Sequence, residues 1–269
     1  MPLLLVALTS CGSDEQTPAG APASSDSAES DTPGEAESEE PAETDAAEVD
    51  GTLNTKTFLP ALKAGVEGKT SAHVTMELTA AGQSMTVEGD TRLDEADPAM
   101  MLTMNGAAFG ESTVEMRLVD DLVYMSIPPM TPRGKFIKVD PKDKSNPLGA
   151  SMGNLTDQMD PLSTFDAFDA GLRNVKYVGE ESVSGENLDR YRVSVDFPAA
   201  SRAQGQPVVP GMPKIVRYDI WLDDENLMRR MAFDLGQQVS MEMTASQWGD
   251  PVSVEAPPAN NVVQGPGTR

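Results

Sequence analysis

Between Lys214 and Gln247 apolar side chains recur at every second position, and that period admits few structures. A strand turns successive side chains to opposite faces, whereas a helix needs spacings of three and four. Tyr218, Ile220 and Leu222 share one face, Met231, Phe233 and Leu235 follow the polar break at Asp223 to Asn226, and Val239, Met241, Met243 and Ala245 follow Gly236 to Gln238. Asp, Asn and Gly at the two breaks favour tight turns, so the stretch reads as three antiparallel strands. A sheet with one apolar face must bury it against something. What covers that face is the question of function.

The same period begins at Ser71. Val74, Met76 and Leu78 alternate with His73, Thr75 and Glu77, and a turn at Ala81 to Gln83 leads into Met85, Val87, Gly89, Thr91 and Leu93. Further strands are expected at Met100 to Met104, at Thr113 to Val119 with Val114, Met116 and Leu118 inward, at Leu122 to Ile127 and at Lys135 to Val139, each paired with the next. Strands resume at Val175 to Val178, Glu181 to Val183 and Arg190 to Phe197, where Tyr191, Val193, Val195 and Phe197 line one face, and a last one is expected at Val252 to Val254. Ala199 to Pro213, rich in Pro, Gly and Gln, reads as loop.

Two stretches have the helical period instead. Phe58, Leu59, Leu62 and Val66 are spaced for a short amphipathic helix, with Thr57 as its N-cap and Gly68 as its stop. Leu162, Phe165, Phe168 and Leu172 recur at three and four within Pro147 to Arg173, which predicts one or two helices across the sheet, ended by Gly171.

Gly12 to Asp50 contains 13 acidic residues, no Lys or Arg and almost no large apolar side chain, so a disordered acidic tether is expected there. Residues 51–263 then form one β-rich domain, with 264–269 as a frayed tail. The net charge is -23, and the 43 acids less those 13 leave 30 against 20 bases after Asp50. Nucleic acid needs clustered bases and is not an expected partner. A global attraction to anionic lipid is not expected either.

Met1 to Cys11 opens on the apolar run Leu3 to Leu8 and ends Leu8-Thr9-Ser10-Cys11, which resembles a bacterial lipobox. In proteins with this motif the cysteine thiol is acylated, so Cys11 is the expected lipidation site and the membrane, reached through the lipid, an expected partner. Cys11 is the only cysteine and cannot form an intramolecular disulfide. The segment has no basic residue and a short apolar run, as a truncated signal would, and the start is expected upstream. No run of about 18 apolar residues offers a helical span.

Little in the chain suggests catalysis. The single histidine, His73, sits opposite the apolar face and reads as a surface residue; no metal site and no cofactor is expected. No Gly-x-Ser-x-Gly elbow or phosphate-binding glycine loop is present. Asp120-Asp121 and Asp223-Asp224 fall in turns. Methionine is the unusual component: of 16 in the chain, 14 fall between Met76 and Met243 once Met1 and Met130 are set aside, while aromatic residues are 5%. Met is flexible and polarizable, suited to apolar partners of variable shape. A curved sheet faced with Met, Val and Leu would leave an apolar cavity beneath covering helices; an ordinary core packed with Met fits the same composition.

The order of elements carries a resemblance. Thr70 to Leu78 with Val87 to Thr91, Arg117 to Met125 followed by Gly134 to Asp140, Val175 to Gly185 with Tyr191 to Asp196, and Tyr218 to Asp223 are similar to the actinobacterial LppX/LprG family of lipid-carrying lipoproteins, whose fold is similar to the LolA and LolB carriers. The resemblance implies an α+β, mainly antiparallel fold: a strongly curved half-barrel sheet with helices across its concave face enclosing an apolar cavity. It also implies a monomeric, non-enzymatic carrier of an acylated lipid or lipoglycan, lipid-anchored on the extracytoplasmic face of the cell membrane in a Gram-positive actinobacterial envelope. The alternative is an envelope sensor or scaffold that binds another protein through the same fold. Strand parity and helical spacing assign the cavity lining to Val74, Met76, Leu78, Val87, Val114, Met116, Leu118, Phe165, Phe168, Tyr191, Val193, Val195, Ile220, Met231, Phe233, Met241 and Met243.

Overall fold

The computed structural model describes residues 51–94, 96–110, 112–143, 149, 168–208, 213–236 and 239–263. All but Gly51 belong to one compact unit, which begins at Thr52. Helix α1, Phe58–Val66, precedes β1 (Ser71–Ala80), β2 (Gln83–Arg92), β3 (Ala99–Gly106), β4 (Val114–Val119), β5 (Leu122–Ser126) and β6 (Phe136–Val139). The second run is β7 (Leu172–Val183), β8 (Glu186–Asp196), helix α2 (Phe197–Ala203), β9 (Ile215–Leu222), β10 (Met228–Asp234), β11 (Val239–Ser246) and β12 (Val262–Val263). All twelve strands form one curved sheet in the order β12-β6-β5-β4-β3-β2-β1-β11-β10-β9-β8-β7. β1 to β6 and β7 to β11 are each a meander, the two fuse where β1 pairs antiparallel with β11, and β12 adds in parallel beside β6. Among the described residues neither β12 nor β7 has a second neighbour, so the sheet is open.

The hairpins follow from their turn residues. Ala81-Gly82, Asp120-Asp121 and Ser184-Gly185 all have positive φ, the conformation that matches a two-residue turn to the twist of its strands. Register is then set by pairing like with like: Met76 faces Val87 on one side and Met243 on the other. One glycine permits a close approach. A Cβ on Gly89 in β2 would lie 1.9 Å from the Met101 carbonyl oxygen of β3, so no other residue fits between these strands as they stand.

Several expectations are corrected. Thr57 does not cap α1 with its side chain; its Oγ1 instead accepts from the Asn54 N–H, while the Asn54 Oδ1 accepts from the N–H groups of Lys56 and Thr57. The segment Ala199 to Pro213 is not all loop, because Asp196 accepts a hydrogen bond from the Ala199 N–H and Pro198 occupies the first turn, which starts α2. Leu172 is strand and not helix, pairing with Val195. The two short strands expected between Val175 and Val183 are one, interrupted by an irregularity between Tyr177 and Gly179. Val252 to Val254 forms no strand; the last strand is Val262–Val263, parallel to β6. The helices expected within Pro147 to Arg173 lie mostly outside the described residues, apart from a helical end at residues 168–171.

Candidate functional site

Directly paired residues of antiparallel strands project to the same side, so the registers define each face completely. From β6 the row runs Val139–Val123–Leu118–Met100 and Ile137–Met125–Met116–Leu102. Met104 and Val87 lead it to Met76, then to Met243, Met231, Ile220, Tyr191 and Tyr177. Leu78, Met241 and Phe233 form a parallel row, as do Val175, Val193 and Tyr218. No charged residue stands at any of these positions. A predominantly apolar face therefore extends across eleven strands, interrupted at its β7–β8 edge by Glu180 and Asp189, the latter paired with Leu222 and accepting a hydrogen bond from the Tyr177 hydroxyl.

Every strand residue assigned to the lining from sequence lies on this face: Val74, Met76, Leu78, Val87, Val114, Met116, Leu118, Tyr191, Val193, Val195, Ile220, Met231, Phe233, Met241 and Met243. Phe168 reaches it too, its ring 5.7 Å from that of Tyr218, whereas Phe165 is outside the described residues. Sequence reasoning left out Met85, Met100, Leu102, Met104, Met125, Ile137 and Tyr218, which the registers place among them. The alternation that marked their neighbours marked them equally.

The face is not uniform. Its β7 to β10 half is aromatic: Tyr177 and Tyr191 lie 5.4 Å apart, as do Tyr218 and Phe233, and Phe58 of α1 seats on Tyr191 at 5.5 Å. Buried Phe58, Leu59 and Leu62 fix α1 on this half, and Tyr191 Oη accepts from the Leu53 N–H. Burial pushes the Tyr218 phenol well above its ordinary value, as an apolar surrounding must. The other half is aliphatic and thioether. Met100, Leu102, Met116 and Leu118 are buried there, while Met76, Leu78, Met85, Val87, Met104 and Met125 are half-buried. Surface that is apolar, charge-free and only half covered is what an acyl chain would contact.

The opposite face carries the charges. Arg190 and Arg230 stack on either side of Trp221, at 5.0 and 4.5 Å, and the Trp221 Nε1–H donates to Glu181. Asp219 accepts from Arg190 at 2.9 Å and from Arg192 at 3.1 Å. Burial acts to raise its pKa, but these two guanidiniums hold the carboxyl below its ordinary value. A groove of about 460 Å³ beside this cluster is lined by Glu77, Arg217, Asp219, Asp234 and Glu242 among others. Most of its lining is polar, but Phe233 and Met241 of the predicted lining border it as well. His73 is half-buried, not a free surface residue: its Nδ1 lies 2.8 Å from Asp90. Among the described residues no three His, Cys, Asp or Glu converge as metal ligands, and no helix is long and apolar enough to cross a membrane.

An open, curved, mostly antiparallel sheet with one mainly apolar face defines the class of fold. Within it, the chain belongs to the LppX_LprAFG lipoprotein family, whose model matches residues 54–254. Two solved structures share the architecture. Lipoprotein LppX of Mycobacterium tuberculosis is 17% identical with a TM-score of 0.53, covering 75% of this chain and 98% of its own. LprF of Mycobacterium bovis is 18% identical with a TM-score of 0.53, covering 76% and 96%. No curated protein matches the sequence.

Proposed function

We propose that this lipoprotein binds an acylated lipid or lipoglycan along its apolar face and carries it within the cell envelope, without catalysis, while anchored to the membrane through an acylated Cys11. The observation that carries the reading is the mainly apolar face shared by eleven strands, whose Met-rich half is free of charge and stays half-covered at Met76, Leu78, Met85, Val87 and Met104. Met side chains there would adapt to chains of different length, and burial at about 25 cal/mol per Å² would supply the affinity, less the cost of ordering the ligand. Family membership supports an envelope lipoprotein.

Native mass spectrometry of the full chain, paired with organic extraction, tests the proposal. Discrete added masses that extract as multi-chain lipids are expected. Met76→Lys should remove them, because a lysine on this face must either be buried unpaired or exclude the ligand. A protein of bare polypeptide mass that unfolds cooperatively would overturn the reading, as would an unchanged lipid mass in a folded Met76→Lys protein.

A further inference from the structure

Successive strands of the first meander run in opposite directions, so the β1–β2, β3–β4 and β5–β6 connections share one end of the sheet, each about 10 Å from the next. That end is poor in charge. Thr79 to Ser84, Met104 to Gly110 and Met125 to Pro132 contain no charged side chain, and Ala81, Gly82, Ala107, Pro129 and Met130 are exposed there. A Cβ on Gly106 would lie 2.8 Å from the Ser84 carbonyl oxygen, so the first two connections start in close contact. The charges that border this end are Glu111, which is outside the described residues, Arg133 and Lys135 on the β6 side, and Asp234 at the turn beside β1. Lys135 donates to the Asn260 carbonyl, toward β12. The opposite end of the same strands is acidic. Its connections pass through Asp94 and Asp97 and through Asp120-Asp121, Asp140 follows β6, and Arg92 and Lys142 there are paired with Asp97 and Asp121.

The β5–β6 connection is braced so that it holds hydrocarbon in water. The Ile127 N–H donates to Thr131 Oγ1 at 2.8 Å, the Thr131 N–H donates back to the Ile127 carbonyl at 3.0 Å, and Thr131 is buried. These bonds close a tip over Pro128, Pro129 and Met130 and leave Met130 62% exposed, the most of any large apolar side chain among the described residues. An isolated exposed apolar residue needs no explanation. Met130 is not isolated from the apolar face. Leu78, Met85, Met104 and Met125 each lie within two residues of this end of their strands and are half-buried, although Val114 among them is buried. Along the chain no charged residue separates these four from the tips.

We propose that this end of the first meander is the edge by which the domain meets a lipid bilayer, with Met130 and the neighbouring tips entering the interfacial layer and the half-covered face opening toward the acyl chains. The inference rests on the reading of that face as the lipid site, and it supplies the route by which lipid enters or leaves. Charge selects the bilayer as the occupant and selects the end that faces it. Uncharged tips can enter the boundary between headgroups and acyl chains, where binding scales with buried apolar area, whereas the aspartates of the opposite end must stay in water. The tether does not decide the orientation. The 39 residues between Cys11 and Gly51 span up to about 130 Å, enough for either end to face the membrane.

The full chain carrying Cys11→Ser has neither an acyl anchor nor any other cysteine, so one further substitution gives a single site for an environment-sensitive dye. Met130→Cys places the dye on the tip, and Lys142→Cys places it at the opposite end, on a side chain 71% exposed. Phosphatidylcholine vesicles bearing a spin-labelled lipid should blue-shift and quench the dye at position 130 and leave the dye at position 142 unchanged. The response should be the same at low and high salt, because apolar insertion is not screened. Met130→Ser in the unlabelled Cys11→Ser chain should weaken co-sedimentation with the same vesicles about tenfold, the order expected for burial of one Met side chain. No response at either position, an equal response at both, or loss of binding at high salt would overturn the docking edge. Native mass spectrometry of the Cys11→Ser chain reports on the lipid site separately. Retained lipid with a silent position 130 would overturn the edge alone, whereas a responding position 130 in a chain of bare polypeptide mass would support the edge and remove the lipid site.

Discussion

Asp219 shows how much of this sheet is held by its polar side. The carboxylate bridges Arg190 and Arg192, and Arg190 in turn lies over Trp221, so one deletion loosens three side chains on adjacent strands. Asp219→Asn is expected to destabilise the domain by about 1.5–3 kcal/mol, the range for hydrogen bonds to charged groups. The pH dependence follows from the sign of the shift. A carboxyl held below its ordinary value of 3.8 contributes stability that is present above that value and lost as pH falls through the lower folded one. Urea titrations of wild type and variant below pH 4 should therefore converge, and parallel curves would refute the assignment. This cluster was invisible in the sequence, because Glu181, Arg190, Asp219, Trp221 and Arg230 meet only through pairing across four strands. The apolar parity at Met76 or Met241 was visible, because it depends on immediate neighbours alone.

Elements with a clean two-residue period were legible, and those set by distant contacts were not. β1, β9 and β11 were readable because each alternates without interruption and ends at a turn residue. α2 was hidden by Pro198, a loop signal in isolation but a good first-turn residue once Asp196 caps the helix. The break in β7 comes from Val178, an extra residue that pairs with nothing across on β8, and no alternation rule foresees it. β12 is two residues long and parallel, and only the position of β6 defines it. The seam between β2 and β3 yields the prediction at this scale. Gly89 stands where any Cβ meets the Met101 carbonyl, which belongs to backbone and cannot rotate away. Gly89→Ala should cost about 3 kcal/mol or more, in the upper range of overpacking, and should open exchange of the β2–β3 amides first. A melting temperature equal to wild type would show that the strands separate at little cost.

At the scale of the whole molecule the two meanders present different surfaces to one space. The β7 to β11 run seats α1 on interlocking rings, a rigid arrangement, while the β1 to β5 run faces the same side with Met, Val and Leu of which several, Met76 and Val87 among them, are half-covered. An apolar ligand would add contacts mainly to the second. Because such a ligand binds the folded state and not the unfolded chain, it must raise stability by RT ln(1 + [L]/Kd), about 2.7 kcal/mol at a hundredfold excess over Kd. For a domain of this size that corresponds to melting about 5–10 °C higher for loaded protein than for protein refolded after lipid extraction. The gain should also be local. Amides near Met76, Leu78, Met85 and Met104 should exchange more slowly when lipid is bound, whereas those of β8 and β9 should change little. Equal melting temperatures, or protection spread evenly over both runs, would mean that the Met-rich half is already a packed core and that the sheet holds no cargo there.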